Sequence, residues 1–140
     1  VLIQQKQESA FYAYLEELEK KIEIRVNEDW IKAQYALAMD NPVDKARMSG
    51  KPSMIEFGAT GCIPCDMMQP ILESLRKKFP NMLNVVFVNV REKAVLGSRF
   101  GIESIPVQAF YDKNGKEVFR HVGFFAENDV LKQLSEMGVK

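Results

Sequence analysis

Cysteine is scarce in this chain: two among 140 residues, with a single histidine, His121, and a single tryptophan, Trp30. That scarcity excludes a disulfide-stapled scaffold, which uses more cysteines. It also leaves a structural zinc site short of its usual four ligands. An excess of one charge is missing as well. Nineteen Lys and Arg are balanced by nineteen Asp and Glu, so no broad basic field is offered to nucleic acid and no polybasic cluster to a membrane surface. No apolar run approaches the length of a membrane helix. Internal repeats, low-complexity segments and Gly/Ser linkers are absent too. What remains, 46% apolar and 27% charged residues, is the composition of a globular protein. The length suits one ordinary domain with a full core and is too short for two of typical size.

The two cysteines stand close together in Gly58-Ala59-Thr60-Gly61-Cys62-Ile63-Pro64-Cys65-Asp66-Met67-Met68-Gln69-Pro70. Upstream, Ser53-Met54-Ile55-Glu56-Phe57 is short and largely apolar and reads as a buried strand. Downstream, Met67, Met68, Ile71, Leu72, Leu75 and Phe79 fall on one helical face. Cys62 is therefore placed at a helix N-terminus, where unpaired N–H groups and the helix dipole favour a thiolate. Cys65 is one turn inside, within disulfide reach. A redox pair is the leading reading. Half of a metal site and two inert core cysteines are the alternatives; the first lacks further ligands, and the second leaves the strand-to-helix position unexplained.

In chain order, residues 4 to about 24 read as an amphipathic helix carrying Phe11, Leu15, Leu18 and Ile22 on one face. A spacer, docking or dimerising helix is one reading of it, and packing on the domain's own core the simpler one. Strand-like alternation in Ile22-Glu23-Ile24-Arg25-Val26 blurs its end. Asn27 or Asp29 caps a second helix through Trp30, Ala33 and Leu37, with Trp30 expected as a packing residue. Asn41-Pro42 opens a short helix that Gly50 stops. After the cysteine helix, Leu83 to Val90 suits a central strand covered on both faces. Residues 92–100 form a short helix with Ala94, Val95 and Phe100 turned inward. Val107–Tyr111 and Glu117–Val122 form a hairpin through Asp112-Lys113-Asn114-Gly115, with His121 on the strand surface. A helix from about Glu127 to Met137 closes the domain. The sum from residue 51 is β-α-β-α-β-β-α, with the first two strands parallel through a crossover.

This order, with Cys62-Ile63-Pro64-Cys65 at the first strand-to-helix junction, resembles the thioredoxin family over residues 51–140. Pro70 matches the family's kinking proline five residues past the second cysteine. Ile105-Pro106 matches its cis-proline loop, and Val122-Gly123 the glycine that follows its hairpin. The resemblance implies an α/β thioredoxin fold, a central mixed sheet flanked by helices, with residues 1–50 as an N-terminal helical extension. The chain departs from the pattern in several places. Gly61 and Gly58 stand where the family carries tryptophans, which predicts a more open and flexible floor around the sulfurs. Glu56 replaces the family's buried aspartate, and Phe87 falls where its lysine partner would be. A buried Glu56 without that cation is expected to hold a proton more readily. Asp66 replaces a commonly basic residue and disfavours the thiolate slightly.

The activity implied is reduction of protein disulfides by dithiol exchange. Cys62 attacks, Cys65 resolves, and Glu56 is the candidate base. Ile63, Pro64, Ile105, Pro106 and Gly123 form the client-binding surface, where Phe124-Phe125 serves either the groove or the core. Apart from the Cys62–Cys65 disulfide no cofactor or metal is expected. The expected partners are client proteins with disulfides and an upstream electron-donor protein, met by a monomer. A disulfide oxidase or isomerase on the same fold is the alternative, followed by a non-catalytic binding module. The first residue is Val1 and a charged helix precedes the domain, which leads to the expectation of an exported, periplasmic protein with a membrane tether outside this chain; a cytoplasmic protein is the alternative.

Overall fold

The computed structural model describes residues 2–21 and 25–140. Its contacts divide the chain after Ala36 into two compact units. Of the expected alternation from Ile22 to Val26, residues 22–24 lie outside the described residues.

In the first unit α1 spans Leu2–Lys21 and α2 begins at Glu28, running on to Met39. Asn27 caps α2, its side-chain oxygen accepting from the Trp30 N–H at 2.9 Å. Within this unit Phe11 and Leu15 of α1 are exposed, Leu18 is half-buried, and Trp30 of α2 is 62% exposed.

The second unit, from Leu37, holds α3 (Pro42–Arg47), β1 (Ser53–Gly58), α4 (Ile63–Lys78), β2 (Asn84–Asn89), α5 (Ala94–Arg99), β3 (Val107–Tyr111), β4 (Glu117–Val122) and α6 (Glu127–Glu136). Asn41 caps α3 as its sequence suggests, accepting from the Val43 and Asp44 N–H groups at 3.0 Å. Val43 and Ala46 of α3 belong to the core. That helix therefore packs within the compact unit that begins at Leu37. Asp44, 1% exposed, is held by Arg99 at 2.7 Å, Arg47 at 3.2 Å and the Asn41 amide at 2.6 Å.

The sheet order is β2-β1-β3-β4, with β1 parallel to β2 and the other pairs antiparallel. Among the described residues β2 is thus an edge strand rather than a central one. Its apolar run reflects helices above and below it, which says nothing about a missing neighbour. β1 and β3 are the central strands and are buried at every residue. The hairpin forms where expected, Asp112 Oδ1 accepting from the Asn114 and Lys116 N–H groups at 2.9 Å.

Alternation along the strands separates two cores. Met54 and Phe110 point toward α4 and α6, packing with Met68, Leu72, Leu75, Val130 and Leu134. Ile55, Phe57, Val107, Ala109 and Tyr111 point the other way, against Val43, Ala46 and Leu96. The inward face of α5 differs from expectation: Leu96 and Gly97 are buried and Phe100 packs beside them, while Ala94 is exposed and Val95 is 81% exposed. The helix begins at Ala94 and not at residue 92, so Ala94 and Val95 lie in its exposed first turn. Met67 is likewise exposed, leaving Met68, Ile71, Leu72, Leu75 and Phe79 as the buried stripe of α4.

Candidate active site

β1 ends at Gly58, and a short turn leads into α4 with Cys62 at its N-cap. Gly61 has φ +74°, a left-handed conformation that side chains other than glycine rarely adopt. A tryptophan is therefore disfavoured there by the backbone itself. Cys62 is extended (φ −101°, ψ 108°), and no side chain caps the helix end. Pro64 sits in the first turn, where a missing N–H costs nothing. Cys62 and Cys65 are bonded, with Cα atoms 5.2 Å apart, inside the normal span of a disulfide. The two sulfurs differ in access: Cys62 is half-buried, whereas Cys65 is fully buried.

Gly58 is part of the wall behind Cys65. A Cβ built on it would lie 2.9 Å from Phe87 Cε2 and 3.2 Å from Cys65 Sγ. The expected openness at this position is thus corrected: the ring of Phe87 fills the room beside the glycine. An aromatic residue is still next to the buried sulfur, supplied by β2 instead of β1.

Glu56 pairs with Phe87 on one side and Gln108 on the other. Alternation puts it on the face of Met54, under the helix that carries Cys65. It is fully buried. Burial pushes its carboxyl up to about 8 from 4.5, with Gln108 and then Arg76 opposing in part. Gln108 therefore stands near enough to act as a hydrogen-bonding neighbour. The bond is not aligned, however: neither carboxylate oxygen nor either amide atom of Gln108 has a formed protein hydrogen bond. Gln108 is a site neighbour that sequence reasoning missed. A lone polar residue in the apolar strand Val107–Tyr111, just after Ile105-Pro106, was the available signal.

The Ile105-Pro106 peptide is cis. Pro106 lies one step beyond the Phe57–Val107 pair, at the end of β1 where the cysteine turn departs. The Gly123 N–H donates to the Pro106 carbonyl at 2.8 Å, which brings Ile105, Pro106 and Gly123 into one loop cluster. Ile63 is 77% exposed beside Cys62. The aromatic pair divides: Phe124 is exposed, whereas Phe125 packs on the α4–α6 core and its N–H donates to Met68 Sδ at 3.3 Å. His121 is half-buried, stacked on Phe125 with ring centroids 4.2 Å apart. Among the described residues no group of three His, Cys, Asp or Glu side chains is arranged to hold a metal.

The thioredoxin family model matches residues 36–136. The chain belongs to the thioredoxin family. The match starts where the compact unit does and takes in α3. Thioredoxin Y, chloroplastic, of Oryza sativa subsp. japonica is 31% identical over 103 residues, 74% of this chain and 59% of that protein. Thioredoxin H4 of Arabidopsis thaliana is 36% identical over 97 residues, 69% of this chain and 81% of its own length. This chain thus spans less than two thirds of the rice protein. A solved structure titled "Structure of a malarial protein" superposes with a TM-score of 0.58 at 20% identity, covering 62% of this chain and 97% of that one. That likeness bears on the fold alone. Family membership together with the bonded Cys62–Cys65 pair supports a thiol–disulfide oxidoreductase.

Proposed function

We propose that the chain reduces protein disulfides through Cys62 and Cys65. The observation that carries this reading is the difference between the sulfurs: a reachable Cys62 at an uncapped helix end and a sealed Cys65 on the sheet face of Glu56. Cys62 thiolate attacks one sulfur of a client disulfide; that S–S bond breaks, and the departing client sulfur takes up a proton. Cys65 gives its proton to the Glu56 carboxylate and attacks Cys62 Sγ. The second client thiol leaves, and the Cys62–Cys65 disulfide is formed. Two electrons have passed to the client. A dithiol donor protein restores the pair: its thiolate attacks Cys62, and protonated Glu56 returns the proton to the leaving Cys65. The donor's second thiolate then attacks the donor sulfur bonded to Cys62, closing the donor's own disulfide and freeing the Cys62 thiolate. A carboxyl held at about 8 while the disulfide is intact is in the right state for that return step. The chemistry needs no cofactor beyond the cysteines. Ile63, Pro64, Ile105, Pro106 and Gly123 form the surface that meets an extended client segment.

The test is insulin reduction with dithiothreitol by wild type, Cys62→Ser and Cys65→Ser. Wild type alone should turn over, and Cys65→Ser should accumulate mixed disulfides on Cys62. Equal rates in all three overturn the proposal. A glutathione-buffered potential near about −120 mV, that of a strong oxidant, rather than about −270 mV would make the protein an oxidase instead.

A further inference from the structure

The row of side chains that crosses the sheet at Glu56 is unusual in what it offers a carboxyl group. The register aligns Phe87, Glu56, Gln108 and His121 across the four strands. Glu56 and Gln108 are both fully buried, and all four of their terminal polar atoms are without a formed bond. Two buried polar groups on directly paired positions are each other's natural partners.

We propose that Gln108 is the positioning residue of Glu56 and serves it in both protonation states, its NH2 donating to the carboxylate and its carbonyl accepting from the carboxyl O–H. A lysine at Phe87 would have served only the charged form. An amide carries one donor side and one acceptor side, and exchanging them takes only a rotation about its terminal torsion. This fits a group that must gain and lose a proton while sealed from water. The role rests on the reading of Cys62–Cys65 as an exchange pair, in which Glu56 alternates between its two forms.

The surroundings leave the amide as the adaptable partner. From β2 comes Phe87, with no polar atom to give. From α4 come Cys65, bonded in this state, and Arg76, which is exposed and donates through Nε to the Val85 carbonyl at 3.1 Å. From α6 the buried residues are Val130 and Leu134, and Glu127 accepts from Ser74 at 2.7 Å. His121 of β4 lies beyond Gln108, with Nε2 3.2 Å from the Phe124 carbonyl.

The experiment follows the Glu56 carboxyl carbon by NMR against pH in the oxidised protein, for wild type, Gln108→Leu and Gln108→Met. Losing a donor to the charged form outweighs losing an acceptor for the neutral one, because hydrogen bonds to ions are the stronger. The midpoint should rise by about one pH unit, and collapse of a Cys62 mixed disulfide near neutral pH should slow by about tenfold. Alkylation of Cys62 in the reduced protein should be unchanged. In wild type the Gln108 side-chain NH2 resonances should titrate with the Glu56 midpoint, a readout that needs no variant to fold. Resonances that stay fixed through that midpoint, or a midpoint unmoved in a folded variant, overturn the proposal. If wild type fails to reduce insulin while the two side chains still titrate together, the exchange reading fails and the pairing stands.

Discussion

Replacing Glu56 with Gln should make the oxidised protein more stable at neutral pH, and increasingly so as pH rises. The folded carboxyl titrates at about 8 against 4.5 for an ordinary glutamate, because burial disfavours its charge. Below 4.5 the group is protonated whether the chain is folded or not, so it has no pH-linked effect. Between 4.5 and about 8 the unfolded chain gives up the proton and the folded one keeps it. The unfolded state then binds fewer protons, and stability falls with rising pH. Above about 8 both forms are ionised and the loss is complete. At about 1.4 kcal/mol per pH unit, the full loss is roughly 5 kcal/mol as an upper figure, with about 3 kcal/mol of it reached near pH 7. Set against the ~5–15 kcal/mol that holds a domain together, this is a large share. The assay is urea unfolding of both oxidised proteins from about pH 5 to about pH 8.5, taking the difference between them so that other titrating groups cancel. The difference should grow steadily in favour of Glu56→Gln. A difference that stays constant with pH, or that turns toward wild type, would refute the assignment of a desolvated carboxyl at this position.

Gly58→Ala should destabilise the protein by roughly 1–3 kcal/mol, because the new methyl meets Phe87 and Cys65 at 2.9 and 3.2 Å. Phe87→Leu in the same chain should recover part of that loss, measurable as a coupling in a double-mutant cycle. Arg99→Ala removes the 2.7 Å partner of buried Asp44 and a 2.9 Å bond to the Ala38 carbonyl. With Arg47 and Asn41 still on Asp44, about 1–3 kcal/mol should be lost in thermal or denaturant unfolding, less than for a fully orphaned buried charge.

The residues that announced the fold did so through backbone chemistry. Pro70 and Asn41-Pro42 mark helix positions, Asp112 to Gly115 marks a turn, and the cysteines mark a strand-to-helix junction; each acts on its immediate neighbours and so is readable locally. What was not legible depends on pairing across the chain. The run Val85 to Val88 is apolar on both faces whether or not a strand lies on each side, so its edge position could not be inferred. Which face of α5 turns inward depends on how so short a helix docks, with Leu96 and Gly97 buried and Val95 exposed, and not on its local pattern. Gln108 looked like an ordinary strand residue until the register put it opposite Glu56. Phe87 and Gly58 read as two separate departures, although in space one fills the room left by the other.

That exchange of places has a consequence for how the site can change. A tryptophan at 58 cannot enter while the Phe87 ring stands 2.9 Å from where its Cβ would begin. Removing Phe87 first opens a gap beside Cys65 and Glu56. Enlarging position 58 alone and shrinking position 87 alone are therefore each uphill. A mutational scan one residue at a time should score both positions as intolerant, whereas a library varying them together should recover function.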